Sequence, residues 1–270
     1  MKARANAVVG ALLVGTTLAM ALLALVWTPF DPLALGLRAK LQAPSAAHWL
    51  GTDEFGRDVL SRIMAGASTS TLVAGTTVAF AVALGVAIGV IAGFFRGWTD
   101  RVLMALNDTL LAFPGILLAL ALMVVVGANR WGIVLALGLA YAPSVARVVR
   151  GTVLGLRERE FVEASRMIGN PEWTTMWRHV LPNIVAPVAV LATSMFGWVL
   201  LGESALSFLG LGVPPPAPTW GNMLAGGRPY MQSAVWLGLA PGLCIALSLL
   251  GINLLGDALR DRLDPRMAAA

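Results

Sequence analysis

REREFVEASRMIGNPEWTTMWRHVLP, residues 157–182, is the one long polar, charge-rich segment of an otherwise apolar chain. Read as a helix from Glu158, it carries Phe161, Ala164, Ser165 and Ile168 on one face, with Arg157, Arg159, Glu160, Glu163 and Arg166 mostly around the rest. Arg159 with Glu163 and Glu163 with Arg166 have the spacing at which opposite charges on a helix meet, worth a few tenths of a kcal/mol each. Gly169 tolerates a left-handed cap and Pro171 restricts Asn170, so the helix ends there. A short helix with a small-residue patch between two apolar segments is where the chain would meet something else.

The surroundings set the medium. With 58% hydrophobic and 12% charged residues over 270 positions, the chain is too apolar for a soluble domain of its length. Long apolar runs argue for membrane helices and against a barrel of alternating strands. The net charge of +5 does not point to nucleic acid, because the basic residues sit at the ends of apolar runs and form no patch. Cys244 is the single cysteine, so no internal disulfide exists.

Six apolar runs are long enough to cross or nearly cross a hydrocarbon core of about 30 Å. They cover about residues 5–27, 69–95, 102–126, 131–149, 184–201 and 235–255. The first follows Lys2 and Arg4; it exceeds the apolar core of a cleavable signal peptide, which favours a retained helix. With the N-terminus inside, 13 of the 19 basic residues face the cytoplasm: Lys2, Arg4, Arg96, Arg101, Arg147, Arg150, Arg157, Arg159, Arg166, Arg178, Arg260, Arg262 and Arg266. Both termini and the 157–182 stretch are then cytoplasmic, and His48 and His179 fall on opposite sides, leaving no basis for a His metal site. The organisation expected is an N-terminal span (1–28), an outer segment with a surface helix (29–68), a helical core (69–258) and a cytoplasmic tail (259–270).

In the outer segment, Asp53 is a candidate N-cap for a helix lying on the membrane surface over residues 48–66, with Phe55, Val59, Leu60, Ile63 and Met64 as its apolar stripe and Asp58 pairing with Arg62. Catalysis by Asp53, Glu54 or Asp58 would need a nucleophile or metal partner that the sequence does not supply. Gly85, Gly89 and Gly93 recur every four residues, the spacing that brings a neighbouring backbone close. Pro114, Pro143, Pro187 and Pro241 lie within or at the ends of spans, where a missing hydrogen bond permits a kink. Asp108, about 10 Å along the helix from Arg101, is within reach of Arg147 or Arg150, and that pairing is favoured over a proton relay. Glu203 closes the fifth span at a vestibule or a simple boundary. Pro214 to Pro218 should be stiff and extended, a pathway cover or a plain connector, with Trp220 and Tyr230 as interfacial anchors.

EASRMIGNPEWTTMWRHVLP resembles the signature of ABC-importer permeases: E-A-A, three residues, G, nine residues, I, one residue, L-P. Glu163, Ala164, Gly169, Leu181 and Pro182 match; Ser165 replaces the second Ala, and His179 stands where Ile is usual. HWLGTDEFGRDVLSR, LREREFVEASR, ESALSFLGLGVPPPAPTWG and NLLGDALRDRLDP are similar to stretches of the peptide and nickel branch, in particular its C-type permease. The resemblance implies an all-α integral membrane protein of six spans with the type I ABC importer permease fold, in a bacterial inner membrane. It also implies that about 157–170 is a coupling helix seated in an ATPase groove. Glu163, Ala164, Ser165 and Gly169 would make the contact, Phe161 and Ile168 would tie the helix to the ends of the spans, and Leu181 and Pro182 would complete the motif.

Partners implied are a second homologous permease, two ABC ATPases and a solute-binding protein, with no nucleic acid. ATP and Mg would be bound by the ATPases and no cofactor by this chain. Lys2 and Lys40 are the chain's lysines and neither follows Gly, so a GxxxxGK[ST] phosphate loop is excluded. Cargo of the peptide class is the first expectation, with glutathione or nickel as alternatives. The competing functions are an ion-coupled secondary transporter using Asp108 and Glu203, and an intramembrane enzyme, for which no catalytic cluster is present.

Overall fold

The structure, a computed structural model, describes residues 2–263; residues 264–270 of the expected tail, with Arg266, and the side chains of Lys2 and Arg4 lie outside the described residues. Among the described residues the chain is helical, with no strand beyond a single bridge between Thr52 and Asp58. Ten α-helices follow in order: α1 Lys2–Leu23, α2 Val59–Phe95, α3 Gly97–Leu111, α4 Gly115–Val126, α5 Arg130–Arg157, α6 Glu160–Met167, α7 Glu172–Thr175, α8 Leu181–Phe208, α9 Trp220–Gly227 and α10 Trp236–Leu263. A π-turn, Met176–Val180, joins α7 to α8 into one rod over Glu172–Phe208. Five helices are long and apolar enough to cross a membrane, and α3 with α4 meet the same measure only together, as a bent pair.

That break is sharper than a kink: α3 and α4 meet at 92°. Pro114 leaves the helical region with φ −55° and ψ 126°, and lacking an N–H it cannot continue the ladder of α3. Its carbonyl instead accepts from Leu117 and Leu118 to start α4.

The core is the seam between α2 and α5. A Cβ placed on Gly85 would lie 2.5 Å from Val145 Cβ and 2.7 Å from Ala142 O, and one on Gly89 would lie 2.6 Å from Ala146 O. The repeating glycines of α2 therefore let two backbones touch, and packing is their role. α1 lies along α10 in the same manner, Gly10 against Gly251 O, with Thr17 and Ser248 hydroxyls 3.0 Å apart.

The outer segment departs from expectation. No separate surface helix spans 48–66; α2 starts at Val59 and runs on without interruption into the membrane-crossing stretch. Asp58, not Asp53, is the cap: its carboxylate accepts from Ser61 N at 2.8 Å and Ser61 Oγ at 2.7 Å. Asp53 closes the preceding turn by accepting from the backbone of Phe55 and Arg57. Arg62 accordingly pairs with Asp53, its Nε 3.4 Å from Oδ2, and Asp58 takes His48 Nδ1 at 2.9 Å in place of Arg62.

Candidate functional site

At the end of α5 the chain turns back into α6. Arg157 Nη1 donates to Phe94 O, the penultimate carbonyl-bearing residue of α2, at 2.6 Å. Arg157 and Arg166 place their guanidinium carbons 5.8 and 5.6 Å from the centroid of the buried Phe94 ring. Phe95 in turn meets Trp173 edge-on at 5.5 Å. The ends of α2 and α5 and the start of α7 thus form one aromatic and cationic base under α6.

Within α6, Val162 is fully enclosed and Ser165 nearly so. Ser165 Oγ lies 2.9 Å from Thr175 Oγ1 and accepts from Asn170 Nδ2 at 3.1 Å, while Asn170 N donates to Ser165 O at 3.2 Å. Arg166 Nη2 donates to Glu172 Oε2 at 3.2 Å. Gly169, at φ +86°, allows the reversal that makes these bonds possible.

The face drawn from the sequence is divided by this arrangement. Ser165 faces inward and Ile168 is 80% exposed, so Ile168 does not fasten α6 to the spans, whereas Phe161, 41% exposed, lies with its ring centroid 6.3 Å from that of His179 at the approach to α8. Val162, beside Phe161 in sequence but about 100° round the helix, is fully buried in the core cluster. Its signal was the spacing of three to Ser165, which the more conspicuous Phe161 and Ile168 obscured. Glu163 and Ala164 are exposed, and the ion pairs expected of Glu163 with Arg159 and Arg166 are not among those formed. Leu181 is half-buried against the core, and Pro182 sits exposed just past the π-turn, where it supplies no N–H to the rod.

What α6 presents outward is therefore Glu163, Ala164, Met167 and Ile168, with Met167 91% exposed and Trp173 and Trp177 nearby at 57% and 62%. A rigidly supported apolar knob with one small residue is shaped for contact with another surface.

The opposite end of the bundle is closed by polar groups. α9 inserts Trp220, fully buried, whose Nε1 donates to Ile63 O at 3.1 Å, correcting its expected place as an interfacial anchor. Thr219 and Asn222 form a capping box that starts α9. Glu203 is not at a vestibule: it is fully buried within α8, accepting from Ser207 Oγ at 2.8 Å and Ser70 Oγ at 3.4 Å. Beside this cluster a cavity of about 390 Å³ opens between the first outer segment and the Pro-rich stretch, lined by Glu54, Arg57, Arg62, Pro215, Pro216 and Met223. Burial pushes the Glu54 carboxyl above its usual range. Among the described residues no group of three or more His, Cys, Asp or Glu could hold a metal ion.

Six spans with a short exposed helix between the fourth and fifth define a membrane permease, and the chain belongs to the family of binding-protein-dependent transport system inner membrane components, whose profile matches residues 85–269. It is 40% identical to the dipeptide transport system permease protein DppC of Alkalihalophilus pseudofirmus over 99% of this chain and 88% of that one. It is 43% identical to the glutathione transport system permease protein GsiD of Escherichia coli over 83% of this chain and 74% of that one. A solved inward-facing MetNI methionine ABC transporter superposes with a TM-score of 0.61 at 18% identity, covering 75% of this chain and 97% of that one. The fold is that of a type I ABC importer permease, and the chain is a permease subunit of such an importer.

Proposed function

We propose that this chain forms half of a peptide translocation pathway, with a second homologous permease supplying the other half. Two ABC ATPases bind on the cytoplasmic side and a solute-binding protein delivers cargo from outside. α6 is then the coupling helix, both termini are cytoplasmic, and ATP with Mg is held by the ATPases. The observation that carries this function is the exposed Ala164, Met167 and Ile168 on a helix whose other face is locked by Val162, Ser165 and Asn170. A seat of that kind transmits force because its own base does not yield. The names of the relatives favour short peptides as cargo, and glutathione is itself a tripeptide.

Native mass spectrometry of the extracted complex tests the assembly: two ATPases and a second permease should accompany the chain. Proteoliposomes holding the full set should take up dipeptide only with ATP and the binding protein. Uptake by the isolated chain under an ion gradient would instead establish a secondary transporter.

A further inference from the structure

We propose that Asp108 and Arg147 form a contact site, inside the water-filled part of the pathway, for the charged ends of a short peptide. The inference rests on the peptide-permease function above. α3 and α5 are joined by two ion pairs of opposite character. Arg150 grips Asp100 through two bonds, Nε to Oδ1 at 2.5 Å and Nη2 to Oδ2 at 2.7 Å, with side chains only 32% and 16% exposed. Arg147 reaches Asp108 through one bond, Nη2 to Oδ1 at 2.7 Å, and these side chains are 61% and 60% exposed. The first pair fastens the helices; the second leaves a carboxylate oxygen and most guanidinium N–H groups unengaged.

Their depth gives this openness a meaning. Arg147 lies ten residues, about 15 Å, before the end of α5, and Asp108 eleven residues, about 17 Å, after the start of α3. An exposed charge pair within a membrane-crossing segment is costly against hydrocarbon and is placed where it meets water. The strips that carry it agree: Arg101, Ala105 and Asp108 on α3 with Ala112 as its C-cap, and Ser144, Arg147 and Gly151 on α5, are charged, polar or small. The large exposed residues Val102, Leu106 and Leu110 fall on the side of α3 turned away from Asp108. A molecule with an α-ammonium and an α-carboxylate complements both free edges at once: the ammonium meets Asp108, the carboxylate meets the Arg147 fork, and no net charge is left behind.

The test uses the complete importer in proteoliposomes, in a Cys244→Ser background. Asp108→Cys should react with a membrane-impermeant, charged thiol reagent and be protected by millimolar dipeptide, whereas Leu106→Cys should not react. The exchange of charges, Asp108→Arg with Arg147→Asp, should co-purify with its ATPases yet lower dipeptide uptake about tenfold or more, because a merely structural pair would be restored by it. If the exchanged protein fails to assemble, Asp108→Asn, of the same size, is read instead and should lower uptake at least about fivefold. Normal uptake in the exchanged or the Asn variant overturns the proposal, as does an unreactive Asp108→Cys in a complex whose unaltered form transports. No uptake by the unaltered complex overturns the peptide function, and this site with it; thiol reactivity then still shows whether the pair faces water.

Discussion

At the α9 end, polar side chains are enclosed and paired with one another, while at the α6 end apolar ones stand in the open. Glu203, Asp53 and Asp58 are each buried, and each finds hydroxyl, guanidinium, imidazole or backbone partners within the chain. Met167 and Ile168 find none. Covering a side chain of that size is worth roughly 1.5–3 kcal/mol, so two of them left exposed on a rigid helix amount to a surface made for another molecule. The difference teaches that the buried carboxylates near α9 are satisfied within the chain, whereas the apolar face of α6 is left uncovered by it. Substitutions at the two ends should accordingly register in different measurements.

The strongest effect is expected at the closed end. Trp220→Ala should destabilise the chain by about 3–5 kcal/mol, seen as a lower thermal midpoint in detergent, since it empties a fully buried site and frees Ile63 O. An unchanged midpoint would break the comparison. Next, Gly169→Val forces a β-branched residue to φ +86° at a strain of about 1–3 kcal/mol. It should loosen the Asn170–Ser165 closure, raise amide exchange in α6 and impair ATP-driven uptake; wild-type exchange and uptake would contradict this. Ile168→Asp should leave the thermal midpoint nearly untouched, within about 0.5 kcal/mol. In the same variant, ATPase recovered by co-purification should fall about tenfold, a loss typical of a central contact. Glu163→Lys should do least to the fold, because Glu163 is exposed and makes no ion pair among the described residues, while weakening ATPase attachment in a salt-dependent way. Attachment equal to wild type at low salt would remove Glu163 from the contact.

Much of this was available from residue patterns. Apolar runs located the spans, the four-residue glycine repeat anticipated a close backbone neighbour for α2 without naming α5, and Arg147 was one of two partners named for Asp108, which it meets. Residues 157–182 singled out the helix that became α6. The errors share a physical origin, in that local preference is decided by distant partners. Asp53 and Asp58 are equally good caps by composition; His48 and the far carbonyl of Pro32, which takes Arg62 Nη1, decide between them. Trp220 has the amphipathic character of an interfacial residue, and only Ile63 O and Ser70 Oγ, some 150 positions away, make burial preferable. On α6 both candidate faces have helical spacing. Which one docks depends on Thr175 and Asn170, residues beyond the helix itself.

The glycine seam has a mechanical meaning. With Gly85 and Gly89 set directly against Ala142 O and Ala146 O, the backbones of α2 and α5 meet there and the Val145 and Val149 side chains lock between the glycines. The two rods make a single strut about 40–55 Å long, bolted near α6 by Arg157 on Phe94 and capped at its far tip by Trp220. Sliding one rod along the other would drive Gly85 and Gly89 against the Val145 and Val149 side chains, so a tilt of either rod carries its neighbour with it.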